Sequence, residues 1–246
     1  MIEFQQLTRT YGDFTAVHPL SLEVRSGEVF GFLGPNGAGK TTTIRMMMGI
    51  LVPSGGRALI HGLDCHAQRA EVQRHVGYLP DNPIYYDFLR GREILRFVAE
   101  MHGIPRAEAE KRAVEMLAEF GLTDVVDEFA VNYSMGMKKK LGLACALIHD
   151  PQVLILDEPI NGLDPRAARD VQDRLRVAAA TGKTIFMSTH LLDMAEKVCS
   201  RVGIIHKGGL VATGTMAELR AGQDASLEEV FLKVTGEEAG QVAVAQ

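Results

Sequence analysis

The chain is poor in three features that would assign it early to a class: cysteine, long apolar runs and excess positive charge. Its 246 residues include only 3 cysteines, which are Cys65, Cys145 and Cys199. They are odd in number and widely spaced, so neither a disulfide framework nor a metal-ligand spacing is indicated. No apolar run approaches the ~18 residues that a membrane-spanning helix needs. The formal net charge of −5 gives no argument for nucleic acid as a partner.

Further absences concern how the chain is organised. Residues 1–6 lack the charged-then-apolar pattern of a signal peptide, and we find no internal repeat, low-complexity stretch or long linker. Hydrophobic residues make up 46% of the chain, which is enough for a full core. We therefore expect a cytoplasmic protein of one domain, or of a compact domain with a subdomain, that reaches a membrane only through a partner.

The most informative motif is a run that fits the phosphate-binding loop pattern GxxxxGK[ST]. Glycines let the backbone curl so that several N–H groups point at one anion. The lysine adds a charge that reaches the β- and γ-phosphates, and the threonine after it is placed to bind Mg²⁺. The run consists of Gly34, Pro35, Asn36, Gly37, Ala38, Gly39, Lys40, Thr41 and Thr42.

The residues around this loop supply the context that the motif requires. Residues 29–33 predict a short apolar strand, and residues 43–48 predict the start of a helix. Strand, loop and helix N-terminus in that order create an anion site, so we expect a nucleoside triphosphate here. The alternative is a glycine-rich turn that joins a strand to a helix without binding a ligand.

Two carboxylates follow a second apolar segment. Residues 153–156 predict a buried strand, and Asp157 and Glu158 come directly after it. Ligands of α/β sheets bind at the carboxyl ends of the strands. Asp157 is a candidate to complete the Mg²⁺ shell with Thr41, and Glu158 is a candidate to polarise the attacking water. Taken alone, the segment is better explained as a strand that ends in an acidic turn, and the phosphate loop is what favours the functional interpretation.

A histidine follows the next predicted strand. Residues 184–187 read as that strand, and His190 comes shortly after it, which places the imidazole at the same carboxyl edge. A neutral imidazole there is a candidate to hold a γ-phosphate oxygen or the water. The alternative is a plain polar cap at a strand–helix junction.

Alternating strand and helix signals around the phosphate loop predict an α/β protein with a P-loop NTPase core and a mainly parallel sheet. We predict a main domain at residues 1–222, with a helical subdomain inserted at about 83–150. A C-terminal helix and a loose tail are predicted at 223–246. An antiparallel N-terminal subdomain is predicted from three strand signals, at residues 2–8, 17–24 and 57–62.

These motifs together resemble the ATP-binding cassette (ABC) ATPases over essentially the full length of the chain. Residues 34–42 match the Walker A loop, and residues 154–158 match Walker B with its catalytic glutamate. Residues 161–164, which end in Asp164, resemble the D-loop that crosses the dimer interface of that family. His190 matches the switch histidine, and Tyr11 matches the aromatic residue that stacks on adenine, although a core tyrosine is the alternative.

The family signature, usually LSGGQ, is altered here to the sequence of residues 133–137, YSMGM. Ser134 and Gly136 are retained. Ser134 can cap a helix, and the free N–H groups after it form an anion site. In the family this site meets the γ-phosphate held by the other subunit. The resemblance therefore implies ATP and Mg²⁺ as cofactors and a head-to-tail homodimer, or a pair with a similar ATPase.

A second departure lies in the loop that joins the core to the helical insertion. Asp81 stands where the family usually has glutamine, and aspartate, one methylene shorter and charged, can still reach Mg²⁺ through a water. Together with the altered signature and the sequence LEEVF at 227–231, this loop resembles ATP-binding subunits of bacterial exporters. The resemblance implies a polytopic membrane permease as a separate chain, and a location on the inner face of the cell membrane.

Two other functions remain as alternatives. One is a soluble ABC-type ATPase that acts on a ribosome or a nucleic-acid complex. Such proteins usually carry a second cassette or a long coiled-coil insertion, and this chain is short and acidic. The other is a small-molecule kinase or GTPase, which would leave the signature residues 134–136 and His190 without a role.

Overall fold

The structure is a computed structural model that describes residues 1–220 and 225–236. The strands of this part of the chain are β1 (Ile2–Tyr11), β2 (Phe14–Val24), β3 (Val29–Leu33), β4 (Gly55–Ile60), β5 (Leu63–Asp64), β6 (Val76–Leu79), β7 (Val153–Asp157), β8 (Thr184–Thr189), β9 (Arg201–His206) and β10 (Gly209–Gly214). Its helices are α1 (Lys40–Met47), α2 (Arg69–His75), α3 (Gly91–Met101), α4 (Arg106–Glu119), α5 (Met135–Leu147), α6 (Pro165–Ala180), α7 (Leu192–Val198), α8 (Met216–Arg220) and α9 (Leu227–Thr235).

The chain divides into two compact units. The first combines residues 1–67 with the chain from residue 188 onward, and the second comprises residues 68–187. The phosphate-loop motif lies in the first unit, and the segment with Asp157 and Glu158 lies in the second.

The first unit contains an antiparallel sheet of four strands in the order β2-β1-β4-β5. Ile2 pairs with Val24 on one side and with Ile60 on the other, and these three side chains are buried. Buried residues alternate at Ile2 and Phe4 of β1 and at Leu20, Leu22 and Val24 of β2, as half-buried antiparallel strands require. The predicted N-terminal strands are confirmed, but β1 runs further than expected and ends at Tyr11.

The same unit also holds the strand order β10-β9-β3. Strands β3 and β9 are parallel and in register from Phe30 opposite Arg201 to Leu33 opposite Ile204, whereas β9 and β10 form an antiparallel hairpin. Every residue of β3 is buried, which matches its unbroken apolar sequence.

The second unit orders its strands β8-β7-β6. Strands β6 and β7 are parallel and in register from Val76 opposite Val153 to Leu79 opposite Leu156. Helices α3, α4 and α5 lie in the chain between these two strands. A Cβ on Gly77 of β6 would collide with the carbonyl oxygen of Ala146 in α5, so only glycine allows this close helix–strand packing.

These elements confirm the expected α/β class with parallel strand pairs and an antiparallel N-terminal sheet. The domain boundaries stay a prediction, because residue 222 and the expected loose tail from 237 fall outside the described residues. The predicted C-terminal helix corresponds to α9, and Ser226 and Glu229 form a capping box at its N-terminus. Within the described residues, none of the helices has the length and apolar character that a bilayer span requires.

Candidate functional site

The phosphate loop lies between the end of β3 at Leu33 and the start of α1 at Lys40. Gly37 and Gly39 adopt φ values of 80° and 107°, which residues other than glycine rarely adopt. A Cβ on Gly34 would collide with the Ile205 carbonyl oxygen, and one on Gly39 would lie 2.7 Å from the Ala16 carbonyl oxygen. The backbone and its close neighbours therefore require glycine at these positions.

The N-terminus of α1 is suited to an anion. Gly39 supplies no side-chain cap, and the first turn contains no acidic residue, so the helix dipole and its first amides are not neutralised locally. The buried Lys40 folds back over the loop, where its Nζ donates to the carbonyls of Gly34 at 2.6 Å and Pro35 at 3.3 Å. A curled loop, a helix N-terminus and an ammonium group fit a phosphate chain.

The turn of the β9–β10 hairpin is hydrogen-bonded to the phosphate loop. The Gly208 amide donates to the Ala38 carbonyl at 3.0 Å, and the His18 amide donates to the Gly208 carbonyl at 2.8 Å. A cavity of about 430 Å³ opens beside Gly37. Its lining consists of Asp13, Phe14, Thr15, Ala16, His18, Gly37, Lys207 and Gly208. This cavity gives the first unit room for a ligand next to the phosphate loop.

Tyr11 and His190 also belong to the first unit. Tyr11 is 46% exposed at the end of β1, and the guanidinium carbon of Arg9 lies 4.4 Å from its ring centroid. It is therefore an exposed aromatic and not a core tyrosine, with one ring face on Arg9; stacking of the ring on adenine stays a prediction. His190 is half-buried and directly follows β8, which extends to Thr189 and is longer than expected.

The second unit contains two buried carboxylates at the end of β7. Asp157 is the last residue of β7 and is 1% exposed, and Glu158 follows it at 6%. Glu158 has a φ of 47°, in the left-handed region. An L-residue there costs about 1–2 kcal/mol, so the surrounding structure must hold this conformation.

A buried lysine of α5 holds that turn. The Nζ of Lys139 donates to the Glu158 carbonyl at 2.5 Å and to Asp81 Oδ1 at 3.3 Å, while the side chain of Lys139 is only 2% exposed. Burial lowers the pKa of Lys139, and the nearby Asp81 carboxylate opposes that shift. The motifs read from the sequence did not include this contact, because Lys139 is the middle one of three successive lysines and only its burial distinguishes it.

The altered signature has the expected helix start. Ser134 is the N-cap of α5, and its hydroxyl accepts from the Met137 amide at 3.2 Å. The first turn, which includes Gly136, contains no acidic residue, so this N-terminus can also receive an anion.

Asp164 caps α6, with Pro165 in the first helical turn. Its Oδ1 accepts from the amides of Arg166 and Ala167, both at 2.9 Å. The hydrogen bond from Ala167 is the main reason that the pKa of Asp164 lies below its usual range. Asp164 therefore stabilises the N-terminus of α6 in its own chain.

The predicted site residues are thus divided between the two units. The first contains Tyr11, residues 34–42 and His190, and the second contains Asp81, Asp157 and the residues of the signature and D-loop. That Thr41 and Asp157 share one Mg²⁺ stays a prediction. Among the described residues there is no cluster of three or more His, Cys, Asp or Glu that would hold a metal alone. A few protein oxygens suit Mg²⁺, because it is usually held by one or two side chains together with phosphate and water.

Comparison with known proteins identifies the family. The family described as ABC transporter matches residues 17–161. The probable multidrug ABC transporter ATP-binding protein YbhF of Escherichia coli (strain K12) is 36% identical over 95% of this chain and 41% of its own length. The chain thus spans about two fifths of the length of that relative.

Two further matches cover most of both chains. The daunorubicin/doxorubicin resistance ATP-binding protein DrrA of Streptomyces peucetius is 38% identical over 89% of this chain and 67% of its own. A solved structure described as the ATP binding subunit of an ABC transporter is 34% identical, with a TM-score of 0.88, and the match covers 96% of this chain and 99% of that one. The chain therefore belongs to the ABC transporter family of ATP-binding proteins.

Proposed function

We propose that this chain binds and hydrolyses ATP as the nucleotide-binding subunit of a membrane exporter. The observation that carries the proposal is the phosphate loop, in which glycine geometry, the open N-terminus of α1 and the ammonium of Lys40 converge. The names of the relatives YbhF and DrrA, which refer to multidrug transport and to drug resistance, support the direction of transport.

The first unit supplies most of the proposed binding contacts to the nucleotide. The amides of residues 37–42 and the Lys40 ammonium bind phosphate oxygens. The cavity beside Gly37 receives the rest of the nucleotide, with Tyr11 as the stacking partner of adenine. Thr41 and Asp157 are the candidate Mg²⁺ ligands, and the metal supplies charge that neutralises the phosphates.

Glu158 and His190 are the proposed catalytic pair. The Glu158 carboxylate accepts the proton of the attacking water, and its buried position strengthens that interaction. His190 donates from its imidazole to a γ-phosphate oxygen or orients the water. Lys40 stabilises the charge that develops on the transferred phosphoryl group.

The active unit is proposed to be two chains arranged head to tail. The capped N-terminus of α5 at Ser134 and Gly136 then faces the phosphate bound by the other chain, and Asp164 lies near the interface. The exposure of Ser134 and Met135 supports this, since both are accessible to a partner. ATP binding closes the pair, and hydrolysis reopens it.

An exposed apolar surface on the second unit is the proposed contact to a membrane permease. Ile84 is 88% exposed, Phe88 is 82% exposed and Met101 is 71% exposed. All three lie in the segment 81–101, and exposed apolar side chains that form one patch commonly mark a contact with a partner. A permease docked on residues 81–101 would bring the chain to the inner face of the membrane.

Replacement of Glu158 tests the enzymatic proposal. We expect Glu158→Gln to lower ATP turnover about 100-fold or more, because the amide cannot take the proton, while ATP binding persists. Size-exclusion chromatography should then show an ATP-dependent dimer. Glu115→Gln, an exposed residue of α4, is the control and should turn over ATP normally. Hydrolysis near the wild-type rate in Glu158→Gln would exclude Glu158 as the base, and the absence of any ATP-dependent dimer would exclude the paired arrangement.

Purification from detergent-solubilised membranes tests the partner. We expect recovery of a polytopic membrane protein, and we expect Phe88→Asp to reduce it. Val114→Asp, which adds the same charge at an exposed apolar position on α4, should not reduce it. Recovery of ribosomes or nucleic acid instead would favour the soluble ABC-type ATPase.

A further inference from the structure

We propose that Lys139 is a positioning residue that fixes Glu158 for hydrolysis, by joining the Glu158 backbone carbonyl to the Asp81 carboxylate through one buried ammonium. The inference rests on the proposed role of Glu158 and deepens it. It assigns to Asp81 the role of counter-ion to Lys139.

A comparison of Lys139 with the adjacent Lys140 supports a specific role for Lys139. Lys139 is 1% exposed, and its Nζ lies within hydrogen-bond distance of both the Glu158 carbonyl and Asp81 Oδ1. Lys140, in contrast, is only partly buried and pairs with Asp170 at 2.7 Å. Of these two lysines, Lys139 is the one that contacts the turn carrying the proposed base.

The backbone at Glu158 explains why such a contact matters. With φ at 47°, this residue occupies a conformation that an L-residue adopts only when its surroundings fix it. A hydrogen bond to its carbonyl oxygen restrains the peptide that follows Glu158, and so restrains the direction of the side chain. Helix α5 is anchored next to this donor, because the Tyr85 hydroxyl donates to the Lys138 carbonyl at 2.8 Å and a Cβ on Gly142 would lie 2.5 Å from the Leu79 side chain.

Asp81 completes the arrangement electrostatically. An ammonium group that is buried without a counter-ion is strongly unfavourable, so Lys139 needs a carboxylate within reach. The Asp81 side chain is about half exposed, and it brings the loop after β6 into contact with the turn after β7 through Lys139. Movement of that loop is thereby transmitted to the position of Glu158.

Steady-state kinetics of Lys139→Met provide the main test. We expect kcat for ATP hydrolysis to fall about tenfold, with KM and nucleotide affinity within about twofold of wild type, because the base is displaced while the phosphate loop is unchanged. Lys139→Arg, which keeps the charge and the donor groups, should recover most of kcat. The control Lys140→Met removes a lysine ion pair from the same helix and should leave kcat within about twofold.

Asp81→Asn separates positioning from metal binding and keeps the inference testable if Lys139→Met does not fold. We expect a lower kcat with an unchanged Mg²⁺ concentration at half-maximal rate, whereas loss of a metal ligand would raise that concentration. Asp124→Asn, which removes an exposed carboxylate of the same unit outside residues 81–101, is the control and should leave both kcat and the Mg²⁺ requirement within about twofold. A raised Mg²⁺ requirement in Asp81→Asn would overturn the assignment of Asp81 as counter-ion.

The failure of this inference is distinguishable from failure of the proposed function. If Glu158→Gln abolishes turnover but Lys139→Met keeps kcat within about twofold, Lys139 does not position the base. If Lys139→Met loses nucleotide affinity as much as kcat, its role is general folding, and the inference is also wrong. If Glu158→Gln itself retains turnover, the proposed catalytic role is what fails.

Discussion

The phosphate loop of the first unit and the Glu158 turn of the second are built in different ways. In the loop, glycine backbone geometry determines the structure, and a Cβ on Gly34 or Gly39 would collide with a carbonyl oxygen of a neighbouring segment. At the turn, side chains determine it, since the buried Lys139 holds the carbonyl of Glu158 and pairs with Asp81. The phosphate loop is therefore disrupted when a side-chain atom is added to its glycines. The Glu158 turn is disrupted when a charge or a hydrogen-bond donor is removed.

This difference also determines what each site demands of the surrounding chain. The loop motif is contiguous, and its supports in β9 and the β9–β10 hairpin act through backbone atoms that many sequences can supply. The turn combines the Glu158 backbone with the side chains of Lys139 and Asp81, which are far apart in sequence, so two separate side chains must be retained together. We therefore expect steric substitutions to affect the first unit most, and charge or capping substitutions to affect the second.

The largest effect is expected for Gly34→Ala. Its new Cβ would collide with the Ile205 carbonyl, a backbone atom that cannot rotate away. Overpacking of this kind costs about 3 kcal/mol, and the displaced loop amides should weaken ATP binding at least about tenfold. Thermal unfolding and titration with a fluorescent ATP analogue measure the two effects.

Gly37→Ala provides the matched control in the same loop. A Cβ at this position meets open space, so the cost comes only from the φ of 80° and should be about 1–2 kcal/mol. If both variants lose the same stability, contact with Ile205 is not what requires glycine at position 34, and the proposed steric basis of the loop is wrong.

A smaller effect is expected for Ser134→Ala at the start of α5. Loss of the hydrogen bond from the Met137 amide should cost about 1 kcal/mol, or roughly 2–4 °C in the melting temperature of a chain of this size. Ser134→Gly should cost only a few tenths of that energy, because glycine is tolerated at N-caps. Equal stability of Ser134→Ala and wild type would show that capping does not contribute here.

The sequence allowed those features to be predicted whose cause is local. The phosphate loop and the Ser134 cap each depend on residues within a few positions of one another. The β9–β10 hairpin is local in the same sense, and its turn has positive φ at Lys207 and Gly208.

Features that depend on distant packing could not be predicted. In α3, Ile94, Val98 and Met101 lie at helical spacing, but Ile94, Leu95 and Ala99 form the buried face and Met101 is exposed. Periodicity identifies a helix but leaves uncertain which neighbours cover it. Lys139 is the clearest example, because the sequence alone does not show that this lysine is buried and the lysines on either side of it are less so.

The smallest effect concerns pH and the cap of α6. The Ala167 and Arg166 amides stabilise ionised Asp164 and lower its pKa from the usual 3.8. This contribution is fully present above that value and disappears as pH falls through the lower pKa of the folded chain. Asp164→Asn and Asp164→Ser still cap the helix but do not titrate. Wild type should therefore exceed both variants in melting temperature at neutral pH, and the difference should shrink below about pH 4. Since other carboxylates are common to all three proteins, their titration cancels in the comparison. A difference that grows on acidification would show that the amides do not favour the ionised form.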